Sequence, residues 1–240
     1  MSAITSLLVS VEELASERLE ISGEPYRHLF RARRLACGDR LRLVDGEGRA
    51  RWARVAEVGA KSAWLEPGAT APSQDPVRRV RLLVASPRFQ RATWLVEKAT
   101  ELGVAEIHFL STERTPREYG EGNSRRLERI ARSALEQSQG SLLPKLSCGC
   151  SFDEIPRLAA GCEVTWYLDT TPSEEGPVDT SGTDSTALVV GPEGGWSEGE
   201  RARFEAWEIK SWSLGARVLR VETAAVVAAA WWLTSAGGEG

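Results

Sequence analysis

No stretch of the 240-residue chain approaches the roughly 18 consecutive apolar residues that a membrane-spanning helix requires. The most apolar run, Ala224 to Leu233, is short and alanine-rich and is predicted to be a buried helix. The opening MSAITSLLVSVEELASERLE has neither a basic head nor a sustained apolar core, so it does not read as a secretion signal. Cysteine is scarce: Cys37, Cys148, Cys150 and Cys162 follow no framework spacing and are expected to be free thiols of a cytoplasmic protein. Histidine is scarcer, with only His28 and His108, and Cys148-Gly149-Cys150 is more simply two thiols than a metal clip, so no metal is expected. The chain has no G-x-G-x-x-G after a strand, no G-x-x-x-x-G-K-[ST] and no G-x-S-x-G. These absences argue against a metallohydrolase, a P-loop NTPase and a serine hydrolase.

What remains is ordinary globular composition. With 42% hydrophobic and 27% charged residues, the chain can bury a core without staples. The net charge of −4 conceals a segregation along the sequence. Pro25 to Arg54 holds nine Arg against three acids, Arg78 to Arg132 holds twelve Lys and Arg against seven Glu, and Glu163 to Lys210 reverses to eleven acids against three bases. Local field governs where a polyanion docks, so the basic first half is compatible with a nucleic-acid partner.

The first 70 residues read as a small β-rich unit. Leu41–Asp45, Arg49–Val58 and Lys61–Glu66 lean to strand, with hairpin turns at Asp45-Gly46 and Gly59-Ala60. Ala69 to Pro76 is the best linker candidate by composition. Beyond it, strands are predicted at Val80–Ala85, Ala105–Leu110, Glu163–Asp169 and Thr186–Val190. They alternate with helices at Phe89–Leu102 and Arg125–Gln137, the latter capped by Asn123 or Ser124, and from Ser197 to about Trp207. Ser197-Glu198-Gly199-Glu200 is a capping box, and Thr223 is placed to cap a terminal helix. The alternation predicts an α/β domain over 77–240 with a mostly parallel sheet. The nine Trp are scattered and read as core and surface anchors.

Two segments carry candidate chemistry. Val190-Gly191-Pro192-Glu193-Gly194-Gly195-Trp196 lies between a strand end and a capped helix, where glycine lets backbone approach a ligand and where open α/β sheets bind ligands. Ser213-Leu214-Gly215-Ala216-Arg217-Val218-Leu219-Arg220-Val221-Glu222-Thr223-Ala224 places Arg220 and Glu222 just ahead of the terminal helix.

In this order and spacing the two segments resemble the RsmE family of ribosomal RNA methyltransferases, part of the trefoil-knotted SPOUT class. Gly191 to Gly195 matches its GPEGG loop, and Ser213 to Ala224 its S-L-G-x-R-[IV]-L-R-x-E-T-A run. Lys98 to Val104 matches K-A-T-E-L-G-V, Thr112-Glu113-Arg114 matches T-E-R, and Glu136-Gln137-Ser138 matches E-Q-S. His28-Leu29, Arg34 and Gly38-Asp39 fit the family's H-H-L…V-L-R…G-D pattern. The chain departs from it at Arg27, where the family has His, at Ala32-Arg33, in lacking an early R-x-F, and at Gln139-Gly140-Ser141, where a basic residue is usual. These departures fall mainly where RNA contact is expected.

The resemblance implies a PUA-like β-barrel over 1–70, a knotted α/β methyltransferase domain over 77–240, and a homodimer. It implies S-adenosyl-L-methionine as cofactor and the N3 of a uridine in 16S ribosomal RNA, or in the small ribosomal subunit, as target. The cofactor is expected on Leu188, Val190, Gly191, Glu193, Gly194, Gly195, Leu214, Gly215, Leu219, Thr223 and Ala224. Removing the imide proton calls for a base, for which Glu222 and Glu193 are candidates, while Arg220 can only stabilise negative charge. Arg220 and Glu222 are taken as the catalytic pair, and His28, Arg31, Arg33, Arg34, Arg49 and Arg51 as RNA-positioning residues. Rival readings are a methyltransferase for transfer RNA or a ribose 2′-OH, a non-catalytic RNA-binding assembly factor, and a generic nucleotide-binding α/β protein.

Overall fold

The computed structural model describes residues 4–115, 118–171 and 182–235. Contacts divide the chain into two units, Met1–Asp75 with Arg132–Leu143, and Pro76–Ala131 with Pro144–Gly240.

In the first unit, β1 (Ser6–Leu8), β2 (Leu19–Ser22), β3 (Arg40–Val44), β4 (Ala50–Val58) and β5 (Ser62–Thr70) form a mixed sheet in the order β1-β3-β4-β5-β2. β1 runs parallel to β3 and the other pairings are antiparallel. Strict alternation in β2 buries Leu19 and Ile21 and exposes Glu20 and Ser22. A short helix α1 (Val11–Ala15) follows β1, and α2 (Gly23–Tyr26) runs into a π-helical turn, Arg27–Ala32. That turn drives Leu29 and Phe30 into a core with Leu41, Leu43, Val55 and Leu65. At the β3–β4 hairpin the Asp45 carboxylate accepts the backbone N–H of Glu47 at 2.8 Å and of Arg49 at 3.0 Å, fixing the turn as the sequence suggested.

Residues 69–76 are tied in more closely than a linker. Thr70 still pairs with Arg51, the Ala71 N–H donates to Ala50 at 2.9 Å, and the Pro72 carbonyl accepts from Arg42 at 3.1 Å. The buried Arg42 also donates to the carbonyls of Gln139 and of Gly140. Asp75 accepts the N–H groups of Ser141 at 2.8 Å and Leu142 at 3.1 Å, together with the Ser141 hydroxyl. Burial alone would raise the Asp75 carboxyl, but these hydrogen bonds outweigh it and hold it below its ordinary value. Gln139-Gly140-Ser141, expected to face RNA, is instead an internal clasp of this unit, with Ser141 fully buried.

The second unit holds a six-stranded sheet, all parallel, in the order β11-β9-β10-β6-β7-β8. Its strands are β6 (Arg79–Ala85), β7 (Glu106–Ser111), β8 (Lys145–Ser151), β9 (Val164–Leu168), β10 (Ser185–Val190) and β11 (Lys210–Trp212). Its helices are α3 (Phe89–Glu101), α4 (Glu121–Ser138), α5 (Ile155–Ala159), α6 (Glu198–Ala206) and α7 (Val221–Thr234). α4 carries the chain into the first unit, where Leu135 packs on Val44, Ala50 and Ala71.

Central β10 is apolar on both faces because both are covered. Ala187 and Val189 pack with Leu83 against Ile155, Leu158 and Phe204 from the α5–α6 side. α7 packs on β6, β10 and α3, with Ala225, Ala228 and Ala229 fully buried. The strand order reverses between β6 and β10, and such a switch point opens a crevice at the carboxyl ends of the strands.

Two predicted helix starts are corrected. α4 begins at Glu121, so Asn123 and Ser124 lie in its first turn and donate to the Gly120 carbonyl. α7 begins at Val221 with Arg220 in the cap position, so Thr223 is inside the helix and does not cap it. Edge strands β8 and β11 escaped the sequence reading because KLSCGCS and KSW are polar or short.

Candidate active site

The loop after β10 is shaped by an indole. Trp196 is buried and donates its Nε1–H to the Leu168 carbonyl at 2.9 Å, and its ring lies across Gly191. A Cβ on Gly191 would come within 2.8 Å of Trp196 Cε2, so glycine is required there by packing. Gly195 turns the loop at φ +70 and donates to the Pro192 carbonyl at 2.9 Å. From outside the loop, Arg114 donates to the Gly194 carbonyl.

The next element holds the clamp in place. The capping box of α6 is formed, with the Glu200 N–H donating to Ser197 Oγ at 3.1 Å and the Ser197 N–H to Glu200 Oε2 at 2.9 Å. The other Glu200 oxygen accepts the Glu113 N–H at 3.0 Å. One buried carboxylate thereby joins the Thr112-Glu113-Arg114 segment to the start of α6.

Loops at the carboxyl ends of β9, β10 and β11 enclose a cavity of about 310 Å³. Of the residues predicted to hold a cofactor, Val190, Gly191, Glu193, Gly194, Gly195, Leu214, Gly215, Leu219 and Ala224 line it. Leu188 is buried within β10, and Thr223 faces a different groove. Leu168, Asp169 and Thr170 also line the cavity and were missed, since only their place at a strand end could have signalled them. Asp169 is ion-paired with Arg201 and its N–H donates to the Trp212 carbonyl at 3.0 Å, linking the loops after β9 and β11.

The first turn of α7 splits the remaining candidates. Val221 and Ala224 face the cavity, while Glu222 and Thr223 face a groove along α3. Arg91 of α3 pairs with Glu193 and lies 3.7 Å from Glu222 Oε1, so one guanidinium holds both candidate bases. Glu222 is 8% exposed, and its Oε2 has no hydrogen-bond partner among the described residues. Arg220 is half-buried, with no side-chain hydrogen bond or ion pair among the described residues, and it is not part of the cavity wall.

In the first unit, the π-helical turn that buries Leu29 and Phe30 leaves Arg27, His28 and Arg31 exposed, with Arg33 and Arg34 following. Arg31 donates to the Ala60 carbonyl at 2.9 Å, and Arg33 lies 3.4 Å from the Thr5 hydroxyl. Arg49 and Arg51 stand apart. Arg49 is paired with Asp45 and Glu47. Arg51 spends its donors on the carbonyls of Leu14 at 2.8 Å, Gly68 at 2.9 Å, Pro67 at 3.2 Å and Ser16 at 3.3 Å.

A family model described as an RNA methyltransferase domain matches residues 73–233, and one described as an RNA methyltransferase PUA domain matches residues 21–68. The chain belongs to the RNA methyltransferase family. A relative from Synechocystis sp., named ribosomal RNA small subunit methyltransferase E, is 28% identical over 93% of this chain and 75% of its own length. A solved structure described as a probable rRNA-methyltransferase from Porphyromonas gingivalis is 28% identical, with a TM-score of 0.80 over 97% of this chain and 100% of that one. The fold is also shared with ribosomal RNA small subunit methyltransferase E from Neisseria gonorrhoeae, solved bound to S-adenosyl methionine, at 22% identity and a TM-score of 0.78 over 95% and 96% of the two chains. The RsmE resemblance read from the motifs is borne out, as is a PUA-like unit preceding a parallel-sheet methyltransferase domain.

Among the described residues no helix is long and apolar enough to cross a membrane, and no group of three or more His, Cys, Asp and Glu is placed to hold a metal ion.

Proposed function

We propose that the protein methylates the N3 of a uridine in 16S ribosomal RNA, with S-adenosyl-L-methionine as donor and the RNA or the small subunit as substrate. The observation that carries this reading is the glycine-lined cavity at the strand ends of a chain belonging to the RNA methyltransferase family. The cavity suits an adenosyl group. Gly215 sits at φ +115 with nothing within 4 Å of the position a Cβ would take, so the backbone there is open to a ligand. Leu168, Leu214, Val218, Leu219 and Ala224 offer apolar walls, and the Gly191–Gly195 backbone offers polar contacts to the same space. When bound, the cofactor supplies an electrophilic methyl group.

The chain's own task is the acceptor nitrogen, whose proton must leave for N3 to attack. Glu222 is the base we assign, held by Arg91, with Glu193 across the same guanidinium. Arg220 is assigned to stabilise charge on the ring oxygens. His28, Arg31, Arg33 and Arg34 would meet phosphate, whereas Arg49 and Arg51 would serve by holding the β-rich unit together. Family membership further supports a cytoplasmic homodimer and a trefoil knot made from 188–195 and 214–219.

Calorimetry with S-adenosylhomocysteine, followed by mapping of methyl groups on RNA from a strain lacking the protein, tests this reading. Micromolar binding and loss of one N3-methyluridine from 16S RNA are expected. A methyl missing from transfer RNA or from a ribose 2′-oxygen would refute the target. Undiminished single-turnover methylation by Glu222→Gln or Arg220→Ala would refute that residue's role.

A further inference from the structure

The groove along α3 shares a wall with the strand-end cavity. The partition is the first turn of α7, which shows Val221 and Ala224 to one side and Glu222 and Thr223 to the other, together with the Arg91–Glu193 pair at its edge. The groove encloses about 450 Å³, and Gln90, Arg91, Thr93 and Trp94 of α3 form its far side. We propose that this groove receives the flat imide edge of the base to be methylated. This rests on the protein being an RNA base methyltransferase, a reaction that needs donor and acceptor pockets separated by no more than a thin wall.

Three observations select the occupant. The Glu222 carboxylate is more than nine-tenths buried and lines the groove, yet its Oε2 accepts no hydrogen bond from the described residues. An unpaired buried acceptor is costly, and a ring N–H entering the groove would satisfy it. Beside it stands Arg91, whose guanidinium has five N–H donors and spends only part of them on Glu193 and Glu222. An acceptor next to a donor complements a ring N–H next to a ring carbonyl, the pattern of a uracil-type imide or a guanine-type lactam. Cytosine and adenine lack it, and so does a ribose hydroxyl. Finally, Trp94 is 42% exposed on the same groove, an aromatic face on which a flipped base can stack.

The experiment uses the full-length protein loaded with S-adenosylhomocysteine and a 16S RNA transcript bearing 4-thiouridine. Irradiation and peptide mapping are expected to find an adduct on the Phe89–Glu101 segment that is lost in Trp94→Ala. In parallel, Trp94→Ala is expected to keep wild-type affinity for S-adenosylhomocysteine and raise KM for RNA by about 5- to 100-fold, the range of one lost base stack, with Trp94→Phe close to wild type. Adducts confined to other segments, or an unchanged KM in Trp94→Ala, would overturn the proposal. So would a change in sedimentation coefficient accompanying the loss, because a second copy of the chain would then cover this face. An adduct at Trp94 in a protein that methylates nothing would uphold the groove as a base site while refuting the methyltransferase reading.

Discussion

Gly191 and Gly194 stand three residues apart in one loop, yet an added methyl group meets different surroundings at each. At Gly191 it would lie 2.8 Å from a ring carbon of Trp196, whose indole is held by the Leu168 carbonyl and cannot swing away. At Gly194 the nearest atom is Arg114 Cδ at 3.4 Å, an ordinary contact with a flexible chain. Gly191→Ala should therefore cost about 1–3 kcal/mol through overpacking and weaken S-adenosylhomocysteine binding. Gly194→Ala should remain within about 0.5 kcal/mol of wild type. Urea denaturation of both variants checks this, and equal losses would contradict it. His108 offers a second test at the same scale. Burial pushes its imidazole below the ordinary value of 6.5, pairing with Glu106 opposes the shift, and the Arg81 and Arg157 charges add to it. The folded protein thus keeps a neutral ring that the unfolded chain would protonate first. Stability is complete above about pH 6.5 and falls as pH drops through and below that value. His108→Gln should flatten this part of the profile between about pH 8 and pH 5, measured as the urea midpoint. A profile parallel to wild type would exclude His108 as its source.

At the scale of elements, α6 does more than bury a face. Its Glu200 closes the capping box with one oxygen and fixes Glu113 with the other, although Glu200 itself does not line the cavity. Glu200→Ala should destabilise by about 2 kcal/mol, more than the roughly 1 kcal/mol of Ser197→Ala. It should also lower cofactor affinity, because Arg114 loses the support that aims it at the Gly194 carbonyl; calorimetry on both variants would show whether affinity follows Glu200 alone. The capping box was legible in Ser197-Glu198-Gly199-Glu200, since a cap is local chemistry. So were β6, β7 and β10, whose apolar runs follow from burial on both faces. The start of α7 was not, because Arg220 occupies the cap position without a side-chain hydrogen bond and Thr223 was the only residue nearby of a capping type. The glycine loop could be read as a ligand site from its composition. Leu168-Asp169-Thr170 and Arg91 could not, because their roles arise from strand order and helix packing between segments distant in sequence.

For the whole molecule, the charge segregation read from the sequence separates into two kinds of arginine once the chain is folded. The net charge of −4 gives no hint of a polyanion partner, whereas the exposed run Arg27, His28, Arg31, Arg33 and Arg34 does. Arg51 belongs to the same basic stretch but is saturated by four carbonyls, so its charge serves the fold. Sequence alone could not divide them, because a guanidinium bound to phosphate and one bound to peptide oxygens satisfy the same donors. Binding of 16S RNA across a salt series separates the two. Each phosphate contact adds about −0.7 to −0.9 to the slope of log affinity against log salt, so Arg33→Ala with Arg34→Ala should make that slope shallower by about 1.5 while leaving stability unchanged. Arg51→Ala should do the reverse, lowering stability by about 3 kcal/mol as four carbonyls lose their donor, with no change in slope for the fraction still folded. If Arg51→Ala moved the slope and the Arg33–Arg34 pair did not, the RNA-facing surface would lie on the β4–β5 side of this unit, and the π-helical turn would owe its arginines to solvation.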